Sequence, residues 1–282
     1  MRLVALTVLT MVAFAANSVL NRLALETGDT GPASFAAIRL VSGVVMLAGL
    51  VLWRDKGTAV MRGAVGWQGP ASLALYVLGF SFAYVMLDAG VGALILFGGV
   101  QITMFTGALL AREEIPLNRW IGAALAFGGL VWLMWPRQGA SDIAPDGIGA
   151  GLMALAALGW GVYSLIGRRA GDPLAATATN FALAAPVGLL VWALVPDGAS
   201  WQGVGLAMTS GMVTSGLGYA LWYRVLPGLP AAVAAIAQLS VPVIAMAGGV
   251  AFLGEAPGIR FVLAASLVMG GVFVSLLRPR GA

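Results

Sequence analysis

The 282-residue chain contains no cysteine and no histidine, and only 9% of its residues are charged. The first two absences exclude disulfides, thiolate catalysis, and zinc or haem sites of the usual kinds, so no cofactor is expected. The shortage of charge excludes more. A soluble domain is about 25% charged, whereas this chain is 60% hydrophobic with a mean hydropathy of +0.97. It cannot cover itself with polar groups, and its expected solvent is the lipid bilayer. The net charge of +4 comes with no basic cluster outside the loops flanking apolar runs. Nucleic acid is therefore not an expected partner; cations beside the cytoplasmic membrane face account for the excess.

What the sequence does have is long apolar runs. Ten of them, each near the ~20 residues that cross a bilayer, fall near 3–24, 33–53, 69–88, 91–111, 119–136, 147–167, 173–195, 201–224, 229–253 and 258–277. The longest connection, near 54–68, leaves no room for a soluble domain. Arg2, the apolar stretch after it and Ala13-Phe14-Ala15 imitate a signal peptide. The run continues past Asn17 to Leu25, however, and reads as the first span. With the N-terminus inside, eleven of the fifteen Lys and Arg fall in inner segments, against Arg22, Arg137 and Arg260 at outer ends and Arg39 within a span. That bias and the even number of spans predict both termini in the cytoplasm.

The chain also repeats itself. Glu114, Pro116 and Arg119 in EEIPLNRW recur 141 residues later as Glu255, Pro257 and Arg260 in EAPGIRF. At the same shift Arg39 falls on Asn180 and Gly129 on Gly270. Phe14, Ser18 and Arg22 fall on Trp160, Ser164 and Arg168 at 146, and Phe80 and Tyr84 on Tyr219 and Tyr223 at 139. Five spans per half is an odd number, so the second half crosses the membrane in the opposite sense. The expected fold is an all-α polytopic membrane protein of ten transmembrane helices in two inverted five-helix repeats, 1–137 and 147–282. Inverted repeats are the architecture of secondary transporters, with a substrate site near the midplane where the halves meet.

Several polar and aromatic residues are candidates for that site. Phe14, Asn17, Ser18 and Asn21 share one helical face. Such residues often serve as glue between helices, the preferred reading for Ser18, but two Asn on one stripe are costly to hide and can line a cavity. Tyr76, Phe80 and Tyr84 form a ladder in the third span, answered by Ser215, Tyr219, Trp222 and Tyr223 in the eighth. Trp222 and Tyr223 lie at a span end and suit an interfacial anchor; Phe80 and Tyr219 lie deeper. Trp160 is well inside the sixth span, with Tyr163 and Ser164 a turn on. A buried indole N–H needs a partner. Gln101 and Pro242 occupy the middles of the fourth and ninth spans. Pro242 lacks the N–H that the Gln238 carbonyl would bond, a helix break with Gln238 and Ser240 beside it. The freed backbone can be satisfied by a neighbouring helix or line a cavity; in the second reading Gln101 and Gln238 face each other and bond the substrate's polar head, with Trp160, Tyr163, Phe80 and Tyr219 around its side chain. Arg39, about 9 Å into its span by helical rise, reads first as an anchor that snorkels outward and second as a carboxylate ligand.

The five-plus-five layout, the early Arg of the second span, Glu-x-Pro before each last helix and Gly-Tyr-x-x-Trp-Tyr-Arg at 218–224 resemble the drug/metabolite transporter superfamily, EamA type. The resemblance covers nearly the whole chain and is closest to amino-acid exporters of the bacterial inner membrane. One departure is Gln101, where many relatives carry Pro. The resemblance implies a monomeric exporter of small molecules, amino acids (aromatic ones among them) or similar metabolites, working by alternating access. No Asp or Glu falls near a midplane, so an intramembrane carboxylate relay for protons is not expected. Export of drugs or quaternary cations is the alternative, requiring a carboxylate or an aromatic cage; only aromatics are available. A membrane-embedded enzyme would lack carriers for acid–base or metal chemistry.

Overall fold

A computed structural model of the chain describes residues 2–55, 66–110, 116–135, 146–167, 172–225, 228 and 231–277. The described residues are helical, with no strand among them. The helices are α1 (Arg2–Leu25), α2 (Pro32–Arg54), α3 (Gln68–Ala83), α4 (Ala89–Leu110), α5 (Leu117–Met134), α6 (Gly147–Gly167), α7 (Pro173–Leu194), α8, α9 (Ala231–Leu253) and α10 (Ile259–Leu276). Helix α8 runs through three segments: α-helical Trp201–Thr209, π-helical Ser210–Leu217 and α-helical Gly218–Val225. Glu114, Arg137 and Arg168, named above for the repeat and the charge count, lie outside the described residues.

Local chemistry fixes several starts. Pro32 and Pro173 open α2 and α7, where a missing N–H costs nothing. Asp172 and Ser200 cap α7 and α8 by accepting from the amides of Ala175 (3.2 Å) and Gly203 (3.1 Å). Pro242 does not break its helix: α9 continues through it from Ala231 to Leu253, as α7 does through Pro186. A proline removes one ladder bond, and packing against protein holds the helix on either side.

Five spans are long and apolar enough to cross a bilayer by the strictest length and composition, and shorter apolar helices accompany them. The polarity runs inside out. Val4, Val8, Leu190 and Phe273 are exposed on the outer face, whereas Arg39, Asn17, Asn21, Ser81 and Ser215 are buried. A bundle in lipid has this arrangement.

Helix pairing obeys an exchange of halves. Helix α4 packs on α6 and α9 on α1; α3 packs on α6 and α8 on α1; α2 meets α7, and α5 meets α10. Each contact maps onto itself or another when α1–α5 are swapped for α6–α10. The α3–α6 pair approaches closely because Gly79 and Gly159 lack side chains. A Cβ at Gly79 would stand 2.8 Å from the Leu152 carbonyl oxygen, and one at Gly159 2.7 Å from the Ser72 oxygen and Tyr76 nitrogen. Small residues permit such crossings where lipid supplies no hydrophobic drive.

One end of the bundle is heavily clasped. Arg22 Nη1 donates to the carbonyls of Tyr84 (3.1 Å) and Val85 (3.2 Å), capping α3. Asp197 accepts from the Ala33 and Ser34 amides at 2.8 Å each, joining the end of α7 to the start of α2. Glu255 Oε1 accepts from the Ala89 amide at 2.6 Å, joining the α9–α10 turn to α4. Arg260 donates to the carbonyls of Trp132 (2.8 Å) and Trp135, closing α5 on α10. The second half of the repeated motif thus ties helix ends together. At the opposite end, Arg54 pairs with Asp172 at 2.5 Å, and Asn118 donates to the Leu277 carbonyl.

Candidate functional site

Between the halves lies a small cavity lined by Phe14, Asn17, Tyr76, Phe80, Leu96, Phe97, Trp160 and Tyr219, with about 10 Å³ of free space. That is room for about one water, too little for a substrate unless the walls move apart. Its walls are an aromatic cluster. Trp160 lies 4.9 Å from Tyr76 and 4.9 Å from Tyr219, and meets Phe14 edge-on at 6.2 Å. Phe14 also meets Tyr219 at 5.9 Å, and Tyr163 stacks on Trp160 at 5.6 Å. Aromatic pairs prefer these tilted and edge-on geometries. The wall is built from positions related by the repeat: Phe14 with Trp160, and Phe80 with Tyr219.

Asn17 joins the cavity to the π-helical segment of α8. Its Oδ1 accepts from Ser210 Oγ at 2.8 Å and from Thr214 Oγ1. A π-helical stretch widens the backbone spiral and often marks a functional position. Asn21 lies a turn away, its Nδ2 donating to Ser81 Oγ at 3.4 Å while its Oδ1 is buried with no partner.

Arg39 is the surprise. It is 0% exposed and does not snorkel. Its Nη2 donates to the Tyr76 hydroxyl and its Nε to Ser215 Oγ, both at 3.1 Å. The guanidinium carbon stands 5.3 Å from the Tyr76 ring centre and 5.0 Å from that of Phe80. Tyr76 and Ser215 are themselves repeat mates, 139 residues apart. Arg39 Nη1 has no hydrogen-bond partner. The Tyr219 hydroxyl lies near Arg39 and Tyr76 but makes no hydrogen bond of standard geometry.

The cavity includes six of the residues singled out from the sequence: Phe14, Asn17, Tyr76, Phe80, Trp160 and Tyr219. Tyr163 and Tyr84 stand behind them. Tyr163 donates to Thr177 Oγ1 at 3.3 Å; Tyr84 donates to the Ala89 carbonyl at 3.2 Å and packs edge-on against Phe80 at 4.7 Å. Gln101, Gln238 and Ser240 do not line the cavity. Gln101 sits one turn beyond Phe97 on α4, half-buried, and Ser240 bonds back to the Ala237 carbonyl at 2.6 Å. Sequence reasoning missed Leu96 and Phe97, which nothing in an apolar helix distinguishes. The repeat signal carried Phe14 as the mate of Trp160, and it points to Tyr76 as the mate of Ser215.

Every carboxylate among the described residues lies in a turn or at a helix end. Two have shifted protonation. Burial pushes Glu255 above its ordinary value, opposed by its bond from the Ala89 amide. The Arg54 guanidinium holds Asp172 below its own. No group of three or more metal-ligating side chains occurs among the described residues.

The model of the EamA-like transporter family matches residues 1–135 and, a second time, residues 147–277. The chain belongs to the EamA-like transporter family. It is similar to an uncharacterized protein of Pseudomonas aeruginosa, PA1977, at 46% identity, over 99% of this chain and 96% of that one. It is also similar to the uncharacterized transporter YwfM of Bacillus subtilis, at 29% identity over 91% and 88% of the two chains. An uncharacterized transporter of Archaeoglobus fulgidus is 21% identical over 86% of this chain and 88% of its own. A crystal structure of a protein 22% identical superposes with a TM-score of 0.63 over 94% of this chain and 95% of that one; at that identity the likeness speaks for the fold alone. The double match agrees with the duplication read from Glu-x-Pro-x-x-Arg. The EamA chain is thus a multi-pass membrane transporter.

Proposed function

We propose that this EamA transporter carries amino acids or similar small zwitterions out of the bacterial cell across the inner membrane. The observation that carries the reading is the narrow seam between the halves, walled by Trp160, Tyr76, Phe80 and Tyr219 with the Asn17 amide at its side. Such a wall suits a side chain of moderate size and a polar head. We divide the chain into repeats 1–137 and 147–282, oppositely oriented, with both termini cytoplasmic on the Lys and Arg bias. The clasped end then faces outward. Gln101, one turn beyond the cavity on α4, and Gln238 with Ser240 on α9 are assigned to the substrate's path towards the cytoplasm.

Energy coupling follows from the position of the acids. With the described carboxylates at helix ends, exchange or facilitated diffusion is expected without obligatory proton coupling. The alternative substrate class, drugs or quaternary cations, is favoured by the aromatic wall but opposed by the buried cation Arg39 behind it. Counterflow in proteoliposomes tests the reading: vesicles preloaded with one amino acid are given labelled amino acid, a cationic dye or a nucleotide sugar outside. Transient accumulation of the amino acid with no pH gradient is expected. Accumulation of the dye alone, or a strict need for an imposed proton gradient, would contradict it.

A further inference from the structure

We propose that Arg39 is the specificity-determining residue of this transporter and that it receives an anionic group, a carboxylate, of the transported substrate. The inference deepens the function proposed above and rests on it for the position of the site. Arginine keeps its charge in any protein setting, and a cation buried without a counter-charge is expensive. Arg39 is fully buried, yet the ion pairs among the described residues involve Arg54, not Arg39. Its two bonded nitrogens reach only neutral hydroxyls, those of Tyr76 and Ser215. Its third, Nη1, is free.

The surroundings favour a bound anion over a purely structural cation. Tyr76 and Phe80 present their ring faces to the guanidinium at 5.3 and 5.0 Å and at the same time wall the cavity. The buried Tyr219 hydroxyl lies against the same guanidinium, and Tyr219 also stands on the cavity wall. A carboxylate seated beside the Tyr219 hydroxyl would pair the buried charge and give Nη1 an acceptor. The repeat adds an asymmetry with a use. The mate of Arg39 is Asn180, so the pseudo-symmetric seam carries positive charge on one side only. A substrate with one anionic head is thereby held in one orientation.

The test is competition in the same proteoliposomes. L-phenylalanine, 3-phenylpropionate, L-phenylalaninamide and phenethylamine compete against labelled phenylalanine, in wild type, Arg39→Lys and Arg39→Gln. The two acids should out-compete the amide and the amine by about thirtyfold or more, the factor set by leaving a buried charge unpaired. Lys keeps the charge but not the fork geometry, so Arg39→Lys should keep the preference at lower affinity. Arg39→Gln, eluting as a folded monodisperse peak, should lose the preference. Equal competition by all four compounds in the wild type overturns the inference, with no variant needed. A preference for acids that survives Arg39→Gln overturns it too. If 3-phenylpropionate is carried and phenylalanine is not, the anion site stands and the amino-acid reading falls. Exchange of the amine and amide without the acids overturns the anion site and leaves a transporter of cations.

Discussion

The ring of Tyr76 lies 4.9 Å from that of Trp160, tilted by 47°, and at that contact the two halves of the chain meet over the central cavity. The hydroxyl of the same Tyr76 accepts a bond from Arg39. Tyr76→Phe keeps the ring contact and removes the acceptor, leaving a second guanidinium nitrogen unsatisfied. Because a hydrogen bond to a charged group contributes about 1.5–3 kcal/mol, counterflow should fall by about tenfold or more while the purified variant stays folded. An unchanged rate would mean that the hydroxyl positions nothing of consequence.

Gly211 in the π-helical part of α8 sits where α2 crosses. A Cβ there would stand 2.3 Å from the Arg39 carbonyl oxygen and 2.0 Å from Ser42 Oγ. Backbone cannot yield as a side-chain tip can, so Gly211→Ala should push α2 and α8 apart and lower the melting temperature by several degrees. Gly205→Ala, in the first segment of the same helix with nothing within 4 Å, should be neutral or slightly stabilising. Equal melting temperatures for the two variants would contradict the close crossing.

Glu255 offers a pH signature. Its pKa is raised in the fold, above the ordinary 4.5, chiefly by burial. A raised acid stabilises the fold fully below about pH 4.5 and loses that contribution as pH rises through the folded value. Glu255→Gln keeps an acceptor for the Ala89 amide and removes the titration. Between pH 5 and 8 the melting temperature of Glu255→Gln should therefore fall less than that of the wild type. Parallel curves would show that the clasp on α4 is indifferent to this charge.

The chain's lack of cysteine makes its orientation easy to read. Of cysteines placed at exposed Thr27, on the clasped end, and at exposed Trp67, on the other, only the first should react with a membrane-impermeant maleimide in intact cells, and the second only once the cells are permeabilised. Thr27 should label from outside. Reaction of both from one side would overturn the proposed topology.

Much of the fold was legible because lipid makes sequence patterns blunt: apolar runs give spans, and polar coincidences such as Glu-x-Pro-x-x-Arg survive duplication. Asn17, Phe80, Trp160 and Tyr219 were legible for the related reason that a polar or large aromatic residue at mid-depth needs a purpose. Arg39 was not. Its count from the helix start suggested a side chain reaching outward, but its direction is set by Tyr76 and Ser215 on two other helices, a tertiary fact. Gln101 shows the same limit from the other side. Depth along a helix placed it at the centre, whereas the cavity closes one turn earlier, at Leu96 and Phe97. Pro242 signalled a break that packing overrides.

The central claim is that the seam between the halves is where substrate binds and that it opens in turnover. Leu96 is 2% exposed and lines that seam. Leu96→Cys, the single thiol in the chain, should react with a small alkylating reagent only as the cavity opens. Saturating phenylalanine should slow that reaction severalfold in a variant that still performs counterflow, while a cysteine at lipid-facing Leu190 should be unaffected. Alkylation of Leu96→Cys at the same rate with and without phenylalanine, in vesicles that demonstrably exchange it, would place the substrate elsewhere and contradict the account.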